Sequence, residues 1–82
     1  MIDYIYTIKL TQPMVGEFVK DCCSFDGDVD VRSVDRSMMV DGKSILSVMS
    51  LNMNSPLVIQ YHAKGADDYA KFCKVMRKYA MA

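Results

Sequence analysis

The chain has 82 residues and a mass of 9.3 kDa, enough for one small domain over residues 1–82 and too little for a two-domain enzyme. It is 51% apolar and 24% charged, with ten basic residues balancing ten acidic ones, a composition that excludes a disordered segment and a basic nucleic-acid-binding tail. No apolar run nears the roughly 18 residues of a membrane span, and Met1-Ile2-Asp3-Tyr4 carries an acid where a secretory signal starts basic, so a cytoplasmic, unprocessed chain without a membrane partner is expected.

The first element reads as a strand. Ile2, Tyr4, Tyr6, Ile8 and Leu10 alternate with Asp3, Thr7 and Lys9, and only Ile5 breaks the two-residue period. Thr11-Gln12-Pro13 interrupts the pattern. Pro13 suits a first helical turn, and Met14, Phe18, Cys22 and Phe25 follow at helical spacing, which predicts an amphipathic helix over 13–25. Asp26-Gly27-Asp28 is a turn signal, after which Val29 and Val31, then Met38 and Val40, mark a hairpin of two short strands joined across Ser33 to Arg36. Ser44 stands where it would cap a short helix carrying Ile45, Val48, Met49 and Leu51. A fourth strand covers 57–63. Gly65 opens the last helix, with Asp67 and Asp68 in its first turn, Arg77 and Lys78 near its end, and an apolar stripe of Tyr69, Phe72, Cys73, Met76 and Tyr79.

The predicted order is β-α-β-β-α-β-α. Strands that alternate in polarity put one face under helices and leave the other in water, so the expected fold class is α+β: an open-faced sandwich, a four-stranded antiparallel sheet with three helices on one face.

Most candidate sites dissolve on inspection. A calcium loop counted from Asp26 would need glycine at position six and glutamate at position twelve, where the chain has Val31 and Ser37. His62 alternates with Tyr61 and Ala63 and is expected on the outer face of the fourth strand. It is the only histidine, and with three cysteines, two of them adjacent (Cys22 and Cys23), and no C-x-x-C spacing, neither a zinc site nor a disulfide framework is expected. No nucleophile or phosphate-loop motif occurs, and no cofactor is implied. Met38, Met49 and Met76 are read as core residues, and Cys22, Cys23 and Cys73 as small hydrophobes.

The segment Asp41-Gly42-Lys43-Ser44-Ile45-Leu46-Ser47-Val48-Met49-Ser50-Leu51 says more. As a cap, Ser44 would satisfy an orphan N–H at the helix start. A phosphoryl group on the same oxygen would lie at the positive end of the helix dipole, so modification fits without unfolding the helix. Ile45, Leu46 and Met49 surround the cap with more apolar surface than a short helix buries.

Lys43-Ser44-Ile45-Leu46-Ser47-Val48-Met49-Ser50-Leu51 resembles the segment around the regulatory serine of the HPr family, the small phosphocarriers of the bacterial sugar phosphotransferase system, and Ala63-Lys64-Gly65-Ala66-Asp67 resembles the start of that family's last helix. The element order agrees over essentially the whole chain. The resemblance implies a non-enzymatic protein whose partners are those of the phosphotransferase system or its regulators. Members of the family carry phosphate on the histidine of a His-x-Arg-Pro motif between the first strand and first helix. This chain has Leu10-Thr11-Gln12-Pro13-Met14 there, so Thr11, Gln12 and Pro13 occupy degenerate phosphohistidine-loop positions, with no arginine nearby. Gln12 is similar to the glutamine of Crh-like regulatory members. In those, a dedicated HPr kinase phosphorylates the serine that corresponds to Ser44, and the product binds a transcriptional regulator. The expectation is therefore a regulatory protein with Ser44 as its phosphorylation site and Ile45, Leu46 and Met49 as its partner-binding surface. A phosphocarrier with an atypical acceptor and an unmodified interaction scaffold remain the alternatives.

Overall fold

The computed structural model describes residues 2–80. The inward side chain expected of Ile2 and the start at Met1 lie outside what it describes. Four strands form one antiparallel sheet: β1 (Ile2–Ile8), β2 (Asp28–Ser33), β3 (Val40–Asp41) and β4 (Leu57–Ala63), in the order β1-β4-β2-β3. Three helices join them, α1 (Val15–Cys23), α2 (Ile45–Met49) and α3 (Ala66–Met76), and a 3-10 turn at Gln12–Met14 leads into α1. This is the expected α+β open sandwich.

Alternation decides which side of the sheet is dry. Leu57, Ile59, Tyr61 and Ala63 of β4 and Val29 and Val31 of β2 point to the helices and are buried, while Gln60 and His62 lie on the outer face with Asp28, Asp30 and Arg32. Phe18 and Cys22 of α1, Val48 of α2, and Phe72 and Met76 of α3 close the core from the other side. Tyr61 stacks on Phe72 with ring centroids 4.3 Å apart, and Phe25 meets both edge-on, so the centre of the core is aromatic.

Several expectations need correction. The first helix is shorter than 13–25: Pro13 belongs to the 3-10 turn, and Phe25 packs into the core from beyond the helix end. The hairpin pairs as expected, Asp30 with Asp41 and Val31 with Val40, but β3 has only two residues, and Met38 lies in the connection, 75% exposed rather than in the core. Period-two spacing with Val40 suggested a strand that the irregular backbone at 36–39 does not form. Met49 is also exposed, because five helical residues turn only Val48 fully inward. Met76 is buried as expected. The last helix ends at Met76, which leaves Lys78 beyond it, paired with Asp21 at 2.8 Å and Glu17 at 3.2 Å of α1.

Candidate functional site

The chain reaches Ser44 through a turn that has little freedom. Gly42 donates its N–H to Val29 O (2.8 Å), and a Cβ on it would meet Val29 Cγ1 at 2.7 Å and Val31 Cγ2 at 3.0 Å, so a side chain here would have to displace the valine side chains of β2. Asp41 folds the turn by accepting the Lys43 N–H on its carboxylate (2.9 Å) and the Ser44 N–H on its carbonyl (3.1 Å). The Lys43 ammonium then crosses to α1 and donates to Phe25 O (2.9 Å), while the Cys23 thiol donates to Lys43 O (3.6 Å). Lys43 therefore anchors the α2 start to the end of α1. Its position before the serine gave no hint of this in the sequence, since the partner atom is a backbone carbonyl 18 residues away.

Ser44 occupies the capping position with extended backbone (φ −111°, ψ 112°), and its carbonyl accepts the Val48 N–H at 3.0 Å. Its hydroxyl makes no capping bond, contrary to the sequence reading. Beyond Ser44, Leu46 is 79% exposed, Ile45 46% and Met49 44%, so the three residues expected to form a partner surface do stand in solvent together on α2.

Thr11, Gln12 and Pro13 are all exposed. Thr11 O accepts the Met14 N–H (3.0 Å), which closes the 3-10 turn, and the Thr11 side chain makes no cap bond. No hydrogen bond joins this loop to the Ser44 segment among the described residues; α1 links them, since it begins at the loop and packs against α2. His62 lies on the outer sheet face as expected, with Nε2 2.7 Å from Asp30 Oδ2 and Asp28 as its register partner in β2.

Cys22 and Asp21 are committed to the fold. Burial, reinforced by Asp21, pushes the Cys22 thiol up to about 12, which suits a packing residue; Cys23 is exposed and Cys73 half-buried, all three unpaired by disulfides. Burial would raise the Asp21 carboxyl, but hydrogen bonds from Lys78 and Tyr79 outweigh it and hold the group below its ordinary range. No cluster of three or more His, Cys, Asp or Glu side chains placed to hold a metal ion occurs among the described residues.

The family profile described as "PTS HPr component phosphorylation site" matches residues 12–78. The chain belongs to the HPr family. Solved HPr structures share its fold: the phosphocarrier protein HPr of Bacillus anthracis str. Ames superposes with a TM-score of 0.67 at 18% identity over 95% of each chain. HPr-C-His from Thermoanaerobacter tengcongensis gives the same TM-score at 23% identity, over 96% of this chain and 91% of that one. No curated protein sequence matches the chain significantly. HPr proteins are phosphocarriers of the phosphotransferase system rather than enzymes in the usual sense, and their normal partners are proteins of that system. Among the described residues no helix is long and apolar enough to cross a membrane.

Proposed function

We propose that this HPr-family chain is a regulatory protein and not a phosphohistidine carrier, and that it docks partners through Ile45, Leu46 and Met49 under the control of phosphorylation at Ser44. The observation that carries this reading is the state of α2: three exposed apolar side chains beside a serine hydroxyl that makes no capping bond. Phosphorylation by an HPr kinase would join Ser44 Oγ to the γ-phosphorus of ATP, release ADP and lose the hydroxyl proton. It would add roughly two negative charges at pH 7 next to the apolar patch. The modified surface would favour a partner that meets the phosphate with arginine and the patch with apolar side chains, such as a transcriptional regulator, and disfavour partners that bury the unmodified serine.

Loss of the carrier role is supported by the first loop. Thr11, Gln12 and Pro13 supply no imidazole, and the chain's one histidine sits in β4 beside Asp30, on the sheet face away from the helices. The test incubates the protein with an HPr kinase and ATP, and separately with the general phosphotransferase enzyme and phosphoenolpyruvate, and maps added phosphate by peptide mass. Phosphate on Ser44 from the kinase alone is expected. Phosphate transferred from phosphoenolpyruvate to His62, where it would be acid-labile, or to the first loop would restore a carrier role, and no phosphate from either donor would leave an unmodified scaffold.

A further inference from the structure

The connection between β2 and β3 is held together by one arginine and leaves another unused. Arg32 Nη1 donates to Ser33 O (3.3 Å), Val34 O (3.4 Å) and Arg36 O (3.0 Å), and the Arg36 N–H donates to Ser33 O (3.0 Å), so both backbone groups of Arg36 are fixed. Its guanidinium makes no hydrogen bond or ion pair with any described residue. Arg36 lines a cleft of about 180 Å³ with Ser33 and with Ser50, Leu51 and Asn52, which follow directly on α2. The other polar side chains of that cleft have partners: Ser33 Oγ accepts the Asn52 N–H (3.3 Å), Ser50 Oγ donates to Ser47 O (2.6 Å), and the Asn52 side chain accepts the Asn54 N–H (3.0 Å) and donates to Ser55 Oγ (3.2 Å). The cleft therefore has a fixed polar wall and one cation to spare.

Apolar surface accompanies that cation. Val34 is 51% exposed and Met38 75%, both in the same connection, and α2 exposes Ile45, Leu46 and Met49; apart from Ile5, these are the large exposed apolar side chains among the described residues. An arginine set among methionine and branched apolar side chains is the composition of an interface centre rather than of ordinary surface. We propose that the docking surface of α2 continues across this cleft to Val34 and Met38, and that its partner is a protein that brings an Asp or Glu carboxylate to Arg36. The inference rests on the proposed docking role of α2 and adds the partner's chemistry to it. The planar guanidinium fork suits a carboxylate, which it can hold by two parallel N–H···O bonds. Asp35, the neighbour of Arg36 in sequence, makes no ion pair with it. Ser44 lies at the other end of α2, five helical residues away, so a phosphate there and the guanidinium of Arg36 would put opposite charges at the two ends of the apolar patch. A partner with an acid for one end and a basic group for the other docks in one orientation only, because reversal sets like charges against each other.

The experiment is calorimetric titration of an HPr kinase with the wild type, Arg36→Gln, Arg36→Glu and Leu46→Asp at low and high salt, with circular dichroism to show that each variant is folded. Arg36→Gln should weaken binding roughly ten-fold, and Arg36→Glu further. The wild type should lose affinity as salt is added, and Arg36→Gln should lose less, since its charge pair is already gone. Arg36→Lys places an amine at the cleft, and a water-soluble carbodiimide should join that amine to an Asp or Glu of the kinase, giving a cross-linked peptide by mass that the wild type does not form. If Leu46→Asp weakens binding while Arg36→Gln and Arg36→Glu bind as the wild type does, docking on α2 stands and the role of Arg36 is overturned. No binding by the wild type, or equal binding by all four chains, removes the docking reading and this inference with it.

Discussion

The starts of α3 and α2 are finished in opposite ways. At α3, the Asp68 carboxylate accepts the Lys64 N–H (2.8 Å), the Asp26 N–H (3.4 Å) and the Tyr61 hydroxyl, whose oxygen in turn accepts the Gly27 N–H (3.0 Å). One side chain thus ties the helix to β4 and to the turn before β2. At α2, Ser44 makes no side-chain cap bond, and Ile45, Leu46 and Met49 face water. The α3 junction has committed its polar groups to the fold, so changes there should cost stability. The exposed side chains Ile45, Leu46 and Met49 make no such commitment, so under the proposed docking role changes at these three should cost recognition and little else.

The largest effect is expected at Gly27. A Cβ there would lie 2.2 Å from His62 O and 2.9 Å from the Tyr61 ring, and because the first of these is backbone, no rotamer change relieves it. Gly27→Ala should lower the unfolding free energy in urea by about 2–4 kcal/mol. Tyr61→Phe is the next step down: it keeps the aromatic stack but removes the hydroxyl that accepts the Gly27 N–H and donates to the Asp68 carboxylate, for about 1–2 kcal/mol by the same assay.

Asp68 sharpens the comparison through pH. Burial would raise its carboxyl, but the Lys64 N–H and the Tyr61 hydroxyl outweigh that and hold it below the usual 3.8. A depressed folded-state pKa stabilises the protein above 3.8, and the contribution is lost as pH falls through the folded value. Acid unfolding of the wild type should therefore steepen below pH 3.8, and Asp68→Asn should flatten that region of the curve. The smallest stability effect belongs to α2. Leu46→Asp at a 79% exposed position should leave the unfolding free energy in urea within about 0.5 kcal/mol of wild type.

The sequence carried the sheet and the core well, because period-two and period-3.6 patterns report which face is buried, and Tyr61, Phe72 and Met76 obey them. It carried the ends of elements less well. Met38 kept the right spacing from Val40 but had no partner strand opposite, and Met49 fell on the apolar stripe of a helix too short to bury it. Ser44 was placed correctly as the residue before α2, yet the local signal that favours serine there said nothing of Asp41, which organises the turn through its own carboxylate and carbonyl. The Lys43 to Phe25 contact and the Asp68 junction join residues far apart in the chain, and such pairs become visible only once topology brings them together.

The central proposal is that the exposed face of α2, Ile45, Leu46 and Met49, is a recognition surface with little structural duty, and a calorimetric titration of an HPr kinase with the wild type and with Leu46→Asp tests it most directly. The account predicts measurable binding by the wild type and at least a roughly ten-fold weaker Kd for the variant, with both proteins equally folded. Equal affinity for the two chains would contradict it and move the docking surface away from α2.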